Sequence, residues 1–230
     1  MKETNKRIAA AAGLGLCVAA AGIAIGVFYQ SVIGVQIARG RLGDYAAERR
    51  DAEIGKVSWN GDSGRYETEL STGEILGYDM KANTISDPAL TESAQASVGE
   101  DYAAAIERMP EYEFPAEVTL QREVDAADYD TVYDRLWIGT VWNAGAPTLS
   151  ESRQLPAQIA YDVMSYMGEE YTFSAVEMTY ADRNGLFEVV VEADSSRPMS
   201  MAALREGTHQ LTEEELADHQ DYLQWIEELG

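Results

Sequence analysis

Side chains that commonly carry metal-dependent or nucleophilic chemistry are scarce in this sequence. Its 230 residues include one cysteine, Cys17, and two histidines, His209 and His219, which are ten positions apart. A zinc site needs cysteines or histidines at close, repeated spacings, and a Ser-His-Asp triad needs a serine in a sharp glycine-flanked turn. Neither pattern is present, and neither is a glycine-rich phosphate-binding loop. We therefore predict no catalytic residue, no metal-binding residue and no cofactor.

Carboxylates are the abundant reactive group. The densest oxygen cluster is formed by Asp125, Asp128, Asp130 and Asp134, which would bind calcium if a loop folded these side chains inward. The stretch lacks the glycine of an EF-hand loop, and in a chain with 40 Asp and Glu residues such clusters also arise by chance. Calcium binding at residues 125–134 is left open.

Four aromatic residues overlap the end of this acidic stretch: Tyr129, Tyr133, Trp137 and Trp142. Flanked by acids, they would suit a platform for a sugar ring, but aromatic residues in strands more often belong to the core, which is the interpretation we favour. The alternative function is therefore an extracytoplasmic hydrolase or a carbohydrate-binding protein that uses these aromatics with the carboxylates of residues 125–134 or 169–177.

The charge balance excludes one class of partner. The chain has 17 Lys and Arg against 40 Asp and Glu, a net charge of −23, and the part after residue 38 carries −25. Such a surface repels phosphate backbones, so we predict no nucleic-acid partner. With 46% apolar residues the chain can still bury a core.

A membrane anchor is predicted near the N-terminus. Between Ile8 and Phe28 the chain has no charged side chain, and about 20 apolar residues suffice to cross a bilayer as a helix. We assign residues 1–7 to the cytoplasm, 8–30 to a single transmembrane signal-anchor helix of the cell membrane and 31–52 to a juxtamembrane stalk or short helix. The remainder, 53–230, is an acidic extracytoplasmic domain, with a division into 53–86 and 87–230 as an alternative.

Three other interpretations of the N-terminus compete with the signal-anchor. A signal peptide cleaved after an A-x-A site at residues 19–21 would leave an apolar run exposed. A lipoprotein would need a small residue before Cys17, where Leu16 stands. Arginines follow the apolar run at positions 39, 41, 49 and 50, so the positive-inside rule leaves the opposite orientation, with a cytoplasmic acidic domain, as an alternative.

Small residues mark one face of the predicted membrane helix. Gly22 and Gly26 form a G-x-x-x-G pair and Gly34 continues its spacing, and small residues four apart let two helices approach closely. The stripe predicts helix packing with another membrane or envelope protein, or self-association. Chance spacing in a segment rich in Ala and Gly is the alternative.

Two antiparallel β meanders are predicted after the stalk. Short runs rich in β-branched and aromatic residues, separated by glycine-containing turns, lie at 56–59, 65–71 and 74–80, and again at 171–180, 186–192 and 198–202. Apolar spacing predicts helices over 101–109, with residues 97–100 as a capping box, and over 156–167, ended by Gly168. Residues 117–124 and 136–142 are further strands, so the predicted fold is α+β.

The C-terminus is predicted to be one acidic amphipathic helix. Thr212 and Glu215 have capping-box spacing. An apolar stripe follows the capping box: Leu216, Tyr222 or Leu223, Ile226 and Leu229. Such a stripe usually docks on its own sheet, and a partner-binding surface formed by Leu216, Leu223, Ile226 and Leu229 is the alternative.

The hairpin at residues 65–76 resembles a known family. Its strand Arg65-Tyr66-Glu67-Thr68-Glu69-Leu70 and the following Ser71-Thr72-Gly73-Glu74-Ile75-Leu76 are similar to the closing hairpin of PepSY-type domains, which are small helix-plus-three-strand modules of bacterial extracytoplasmic proteins. The segment 156–202 is similar in layout. The resemblance implies a membrane-anchored accessory or regulatory domain and supplies no catalytic residue.

These observations together predict a non-catalytic accessory or regulatory protein of a bacterial membrane or cell-envelope assembly, acting through protein–protein contacts.

Overall fold

The chain divides after Ser86 into two units, Met1–Ser86 (unit 1) and Asp87–Gly230 (unit 2). The computed structural model describes residues 29–192 and 199–229, with side chains over 31–192 and 199–228. Seven α-helices and nine β-strands lie in the described residues. The mixed α+β class predicted from the sequence is therefore confirmed.

Unit 1 is a four-stranded antiparallel meander preceded by a helix. Helix α1 is Val35–Tyr45, with π-helical turns at Tyr29–Gly34 and Ala46–Arg50, and the strands are β1 (Ser58–Asn60), β2 (Arg65–Glu69), β3 (Ile75–Asp79) and β4 (Thr84–Ser86). Each strand pairs with the next in the sequence. The meander forms where the sequence predicts it, because glycines with positive φ, Gly64 and Gly73, permit the two tight turns. The fourth strand was not predicted.

Helix α1 packs on this sheet through one face. Ala38, Leu42 and Tyr45 are buried, and the helix contacts β2 and β3. Gly34, just before the helix, lies so close to Tyr66 of β2 that a Cβ atom built on it would be 2.5 Å from Tyr66 Cζ. Residues 34–46, part of the segment expected to be a stalk or short helix, therefore pack on the sheet of unit 1 through one face.

Unit 2 is a five-stranded mixed sheet with helices. Its elements are α2 (Pro88–Ile106), β5 (Val118–Asp125), β6 (Asp128–Trp142), α3 (Leu149–Ser152), α4 (Leu155–Met167), β7 (Phe173–Asp182), β8 (Gly185–Glu192), α5 (Met201–Glu206), β9 (Thr208–Gln210), α6 (Glu213–Leu216) and α7 (Gln220–Leu229). The strands lie in chain order, but β6 and β7 are parallel. Parallel neighbours need a crossover, which α3 and α4 supply, so the expectation of purely antiparallel meanders is wrong here.

Three predicted elements of unit 2 need correction. Helix α2 begins at Pro88, where Asp87 caps it by accepting a hydrogen bond from Ala89 N at 3.0 Å. Proline at the first position of a helix needs no N–H donor, and the alanine-rich sequence propagates the helix. The predicted start at 101, with a capping box at 97–100, therefore lies inside α2.

The third strand of the second meander is also displaced. Met201 lies in helix α5, because Ser200 caps that turn by accepting a hydrogen bond from Ala203 N, and the strand that pairs with β8 is β9.

At the C-terminus the capping box of Thr212 and Glu215 is present, but the predicted single helix is divided into α6 and α7. The helix over 156–167 forms as α4, and Gly168 follows it with φ 117°.

The helix-facing side of the unit 2 sheet holds the main core. Helices α2, α4 and α5 pack there against alternate residues of β5 to β8, among them Leu120, Leu136, Met178 and Val189.

Over the part of the chain that the structure describes, no helix has the length and apolar character needed to cross a membrane. The predicted transmembrane segment lies outside the described residues except for Tyr29 and Gln30.

Candidate functional site

The unit 2 sheet has a second face, opposite the helices, and part of this face is exposed in the region of the chain that the structure describes. Because side chains alternate along a strand, the neighbours of the core residues on β6, β7 and β8 point to this side. We call the surface formed by Arg135, Trp137, Glu177, Val190 and Glu192 the open face. Residues Trp137, Glu177 and Val190 form one cross-strand row, and Val190 is 44% exposed.

Trp137 is held in place on the open face by polar neighbours. Its indole Nε1 donates a hydrogen bond to Glu177 Oε2 at 3.1 Å. The guanidinium of Arg135 lies 5.9 Å from the Trp137 ring centroid and is also paired with Glu192. Arg135 Nε is buried and has no hydrogen-bond partner among the described residues. The indole is therefore fixed before any partner arrives, which lowers the entropy cost of binding at this surface.

The shape of the open face suits a surface contact better than a small ligand. A depression between Trp137, Glu177 and Val190 has a volume of about 30 Å³, whereas small-molecule sites are clefts of several hundred Å³. Glu177 is exposed and the side chain of Glu192 is 70% exposed. The surface therefore combines an apolar centre with the carboxylate of Glu177 and the ion pair of Arg135 and Glu192.

The C-terminal helix covers the other end of the same sheet side. Trp142, Ala181 and Leu186 form a cross-strand row, and α7 packs Tyr222 and Trp225 against it. The Trp142 and Trp225 ring centroids are 5.0 Å apart. A cavity of about 180 Å³ remains beside the start of α7, where Asp218, His219 and Asp221 are among the lining residues.

The predicted calcium cluster does not assemble in one place. Asp134 is fully buried and accepts two hydrogen bonds from Arg122, at 2.7 and 2.9 Å. Asp125 and Asp128 accept from backbone N–H groups of the β5–β6 hairpin, at Ala127 and Asp130. Among the described residues, no three His, Cys, Asp or Glu side chains converge as a metal ion would require.

Asp134 is the centre of a buried polar network instead. Thr172 N also donates to it at 3.0 Å, and Arg122 lies over the ring of Tyr171. The hydrogen bond and charge of Asp134 raise the pKa of Arg122. Burial, together with a hydrogen bond to Asp101, raises the pKa of Tyr171 to about 12. This network ties β5, β6 and the start of β7 to α2.

A second buried network surrounds Asp182 at the end of β7. Asp182 is fully buried and accepts from Tyr180 Oη at 2.9 Å and from Asn184 N at 2.7 Å. Asn143 donates to Tyr180 Oη at 2.9 Å, and burial raises the pKa of this tyrosine. Tyr222 Oη donates to the backbone carbonyl of Asp182 at 3.2 Å, so the network helps to seat α7.

The four aromatic residues predicted as a platform are dispersed. Trp137 lies on the open face, Trp142 packs under α7, and Tyr133 donates to Asp125 Oδ2 at 3.2 Å. Tyr129 is half-buried near the β5–β6 hairpin.

The two histidines lie apart from each other. His209 lies beside Glu188 at 3.3 Å, and His219 lines the cavity at α7.

The residues predicted for helix packing and partner binding fall in three places. Gly22 and Gly26 lie outside the described residues, and Gly34 packs on Tyr66. On the C-terminal segments Leu216 and Ile226 are half-buried against the sheet, and Leu223 is exposed. The side chain of Leu229 lies outside the described range.

Sequence reasoning named Trp137 and, within residues 169–177, Glu177 as candidates in separate places, but it missed Arg135 and Val190. Val190 could not be recognised because its neighbours Val189 and Val191 are also apolar, so residues 189–191 do not alternate between apolar and polar side chains. Over residues 135–138, Arg135 and Trp137 alternate with the aliphatic Leu136 and Ile138. This alternation could have identified the outward face of β6.

Comparison of the chain with protein-family models, curated proteins and solved structures finds no match.

Proposed function

We propose that this chain is a membrane-anchored, non-catalytic accessory protein of a bacterial membrane or cell-envelope assembly, and that it binds a partner protein through the open face of unit 2. The observation that carries the proposal is the row of Trp137, Glu177 and Val190. It places a hydrogen-bonded indole beside an exposed valine on one sheet surface. Aromatic residues of this kind dominate the binding energy of protein interfaces.

Charge indicates the chemistry of the partner. Glu177 and Glu192 border the apolar centre of the open face, and Asp218 and Asp221 line the cavity at α7. A partner segment that combines an apolar side chain with lysine or arginine would satisfy both features. The net charge of −25 after residue 38 would also accelerate its encounter with such a segment.

The anchor part of the proposal rests on the sequence. Residues 8–30 have the length and composition of a signal-anchor helix, and the resemblance of the β2–β3 hairpin to PepSY-type domains supports an extracytoplasmic accessory role. The hydrolase alternative gains no comparable support, because Asp134 is committed to Arg122 and Asp125 and Asp128 to hairpin hydrogen bonds.

A photocrosslinking experiment in cells tests the proposal. A benzophenone amino acid replaces Val190 in the full-length protein, and Gln158, exposed on the opposite, helical layer, serves as the matched control position. We expect one envelope protein to be crosslinked from position 190, not from position 158, and to be lost when Trp137→Ala is added. With the purified partner, Trp137→Ala should weaken binding about tenfold or more. Equal capture from both positions, or unchanged binding by Trp137→Ala, would refute the open face as the binding surface.

A further inference from the structure

Unit 1 exposes a group of large apolar side chains at the start of its helix. Val32, Ile33 and Ile37 are 44%, 40% and 40% exposed. Ile33 and Ile37 are four residues apart and lie on one side of the helical segment, opposite the buried face of Ala38 and Leu42. The segment is therefore apolar on both sides at its beginning.

Trp59 extends this apolar surface onto the sheet. Strand β1 contacts the helical turn Tyr29–Gly34, and Trp59 is 40% exposed. Its ring meets the ring of Tyr66 edge to face, with centroids 5.0 Å apart. Trp59 therefore lies on the strand beside the turn that carries Val32 and Ile33. We call Val32, Ile33, Ile37 and Trp59 the apolar collar.

The position of the collar in the chain indicates what covers it. Single exposed apolar side chains are common on soluble proteins, but here four occur together, directly after the apolar run of residues 8–28. If that run crosses the bilayer, the collar begins only four residues after its end. At about 1.5 Å per helical residue, Ile33 and Ile37 would lie within roughly 15 Å of the hydrocarbon boundary.

We infer that the apolar collar lies in the interfacial layer of the phospholipid bilayer, so that unit 1 is seated directly on the membrane with no free stalk. The inference rests on the membrane anchor of the proposed function. Amphipathic helices bury their apolar side about 5 to 10 Å into this layer, and tryptophan is enriched there. The contact between Gly34 and Tyr66 fixes the sheet to the emerging helix and so sets its orientation.

Two charged residues of α1 fit the same placement. Arg39 follows Ile37 by two residues and is exposed, where the inferred placement would let it contact lipid phosphates. Farther along α1, Asp44 is exposed on the same side as Ile37, two turns later. The acidic charge of the chain disfavours anionic lipids. Apolar burial must therefore supply the contact, and zwitterionic lipid is the appropriate test surface.

Site-specific fluorescence in a bilayer tests the inference. The full-length protein with Cys17→Ser is reconstituted into phosphatidylcholine nanodiscs after labelling with an environment-sensitive dye at Ile33→Cys, Ile37→Cys or Asp44→Cys. The third position is the matched control, because it lies on the same helix side but farther from the membrane. We expect a lipid-attached quencher to reduce emission at positions 33 and 37 at least twofold more than at position 44.

The possible failures are distinguishable. Co-flotation of the protein with liposomes tests the anchor separately, and its loss would refute the proposed membrane attachment and the inference with it. Co-flotation with equal, weak quenching at all three positions would overturn the inference alone and would mean that a free stalk separates unit 1 from the bilayer. Disulfide-linked dimers formed through Ile37→Cys without lipid quenching would also overturn it, because a second copy would then cover the collar.

Discussion

Gly34 packs directly against the phenol end of Tyr66, closer than a residue with a side chain would allow without movement of the tyrosine. A Cβ atom at position 34 would lie 2.5 Å from Tyr66 Cζ, and Tyr66 is fully buried. The contact joins the turn before α1 to the second strand of the sheet, so the helix cannot separate from unit 1 without losing this packing.

We predict that Gly34→Ala destabilises unit 1 by about 1 to 3 kcal/mol, because the Tyr66 ring must move out of a filled core. Gly40→Ala is the matched control, because among the described residues no atom beyond its chain neighbours and the nearby helix backbone lies within 4 Å of its Cβ position. It should stabilise α1 by up to about 1 kcal/mol. Hydrogen exchange of the full-length protein measures both effects on the amides of β2. Similar exchange in the two variants would show that the Gly34 contact is unimportant.

The cross-strand pair Arg122 and Asp134 gives a second prediction. Arg122→Met leaves the fully buried Asp134 carboxylate without its cation, and breaking a buried pair in this way costs about 3 to 5 kcal/mol. Arg135→Met is the control, because its partner Glu192 is 70% exposed, and we expect a loss of at most about 1 kcal/mol. Denaturant unfolding of the full-length protein in detergent compares them. A loss as small for Arg122→Met as for Arg135→Met would contradict the structural role of the pair.

Local features of the fold could be predicted from the sequence. The glycine-containing turns predicted where the hairpins of both meanders lie. The capping box at Thr212 predicted the start of one helix, and Gly168 predicted the end of another. The start of α2 was misplaced because residues 97–100 also have capping-box spacing, whereas the observed cap is Asp87, followed by Pro88. The parallel pairing of β6 and β7 depends on where a distant strand docks, which no local pattern records.

The candidate site shows the same limit. The sequence spacing groups Asp134 with the acids at positions 125, 128 and 130. Because side chains alternate along a strand, however, Asp134 lies on the same buried, helix-facing side of β6 as Leu136 and Ile138. Only the pairing register of β5 and β6 shows that Arg122 lies opposite Asp134. Trp137 could be flagged by type, but its acidic and apolar neighbours come from two other strands, so the open face itself required the sheet.

Alkaline pH should weaken the fold through its buried tyrosines. Burial and the hydrogen bond to Asp101 raise the pKa of Tyr171 to about 12, and burial also raises the pKa of Tyr102. Between pH 10 and 12 the unfolded chain releases these phenolic protons while the folded chain keeps them. The unfolding free energy therefore falls as the pH rises through this window and is independent of these groups below it. Denaturant titrations from pH 8 to 12 measure the slope, which Tyr171→Phe should make shallower. An unchanged slope would exclude Tyr171 as one of the groups responsible.

The docking of α7 separates the two interpretations of the C-terminal segment. Trp225 packs on Trp142, whereas Leu223 on the same helix is 39% exposed. If the helix serves mainly to cover its own sheet, Trp225→Ala frees it, and we expect faster hydrogen exchange across residues 220–229 with little change in β5 and β6. Leu223→Ala should leave that exchange nearly unchanged. Partner binding by the full-length protein then provides the second measurement: a loss with Leu223→Ala at unchanged exchange would assign the exposed side of α7 to the interface, and unaffected binding would confine the interface to the open face around Trp137.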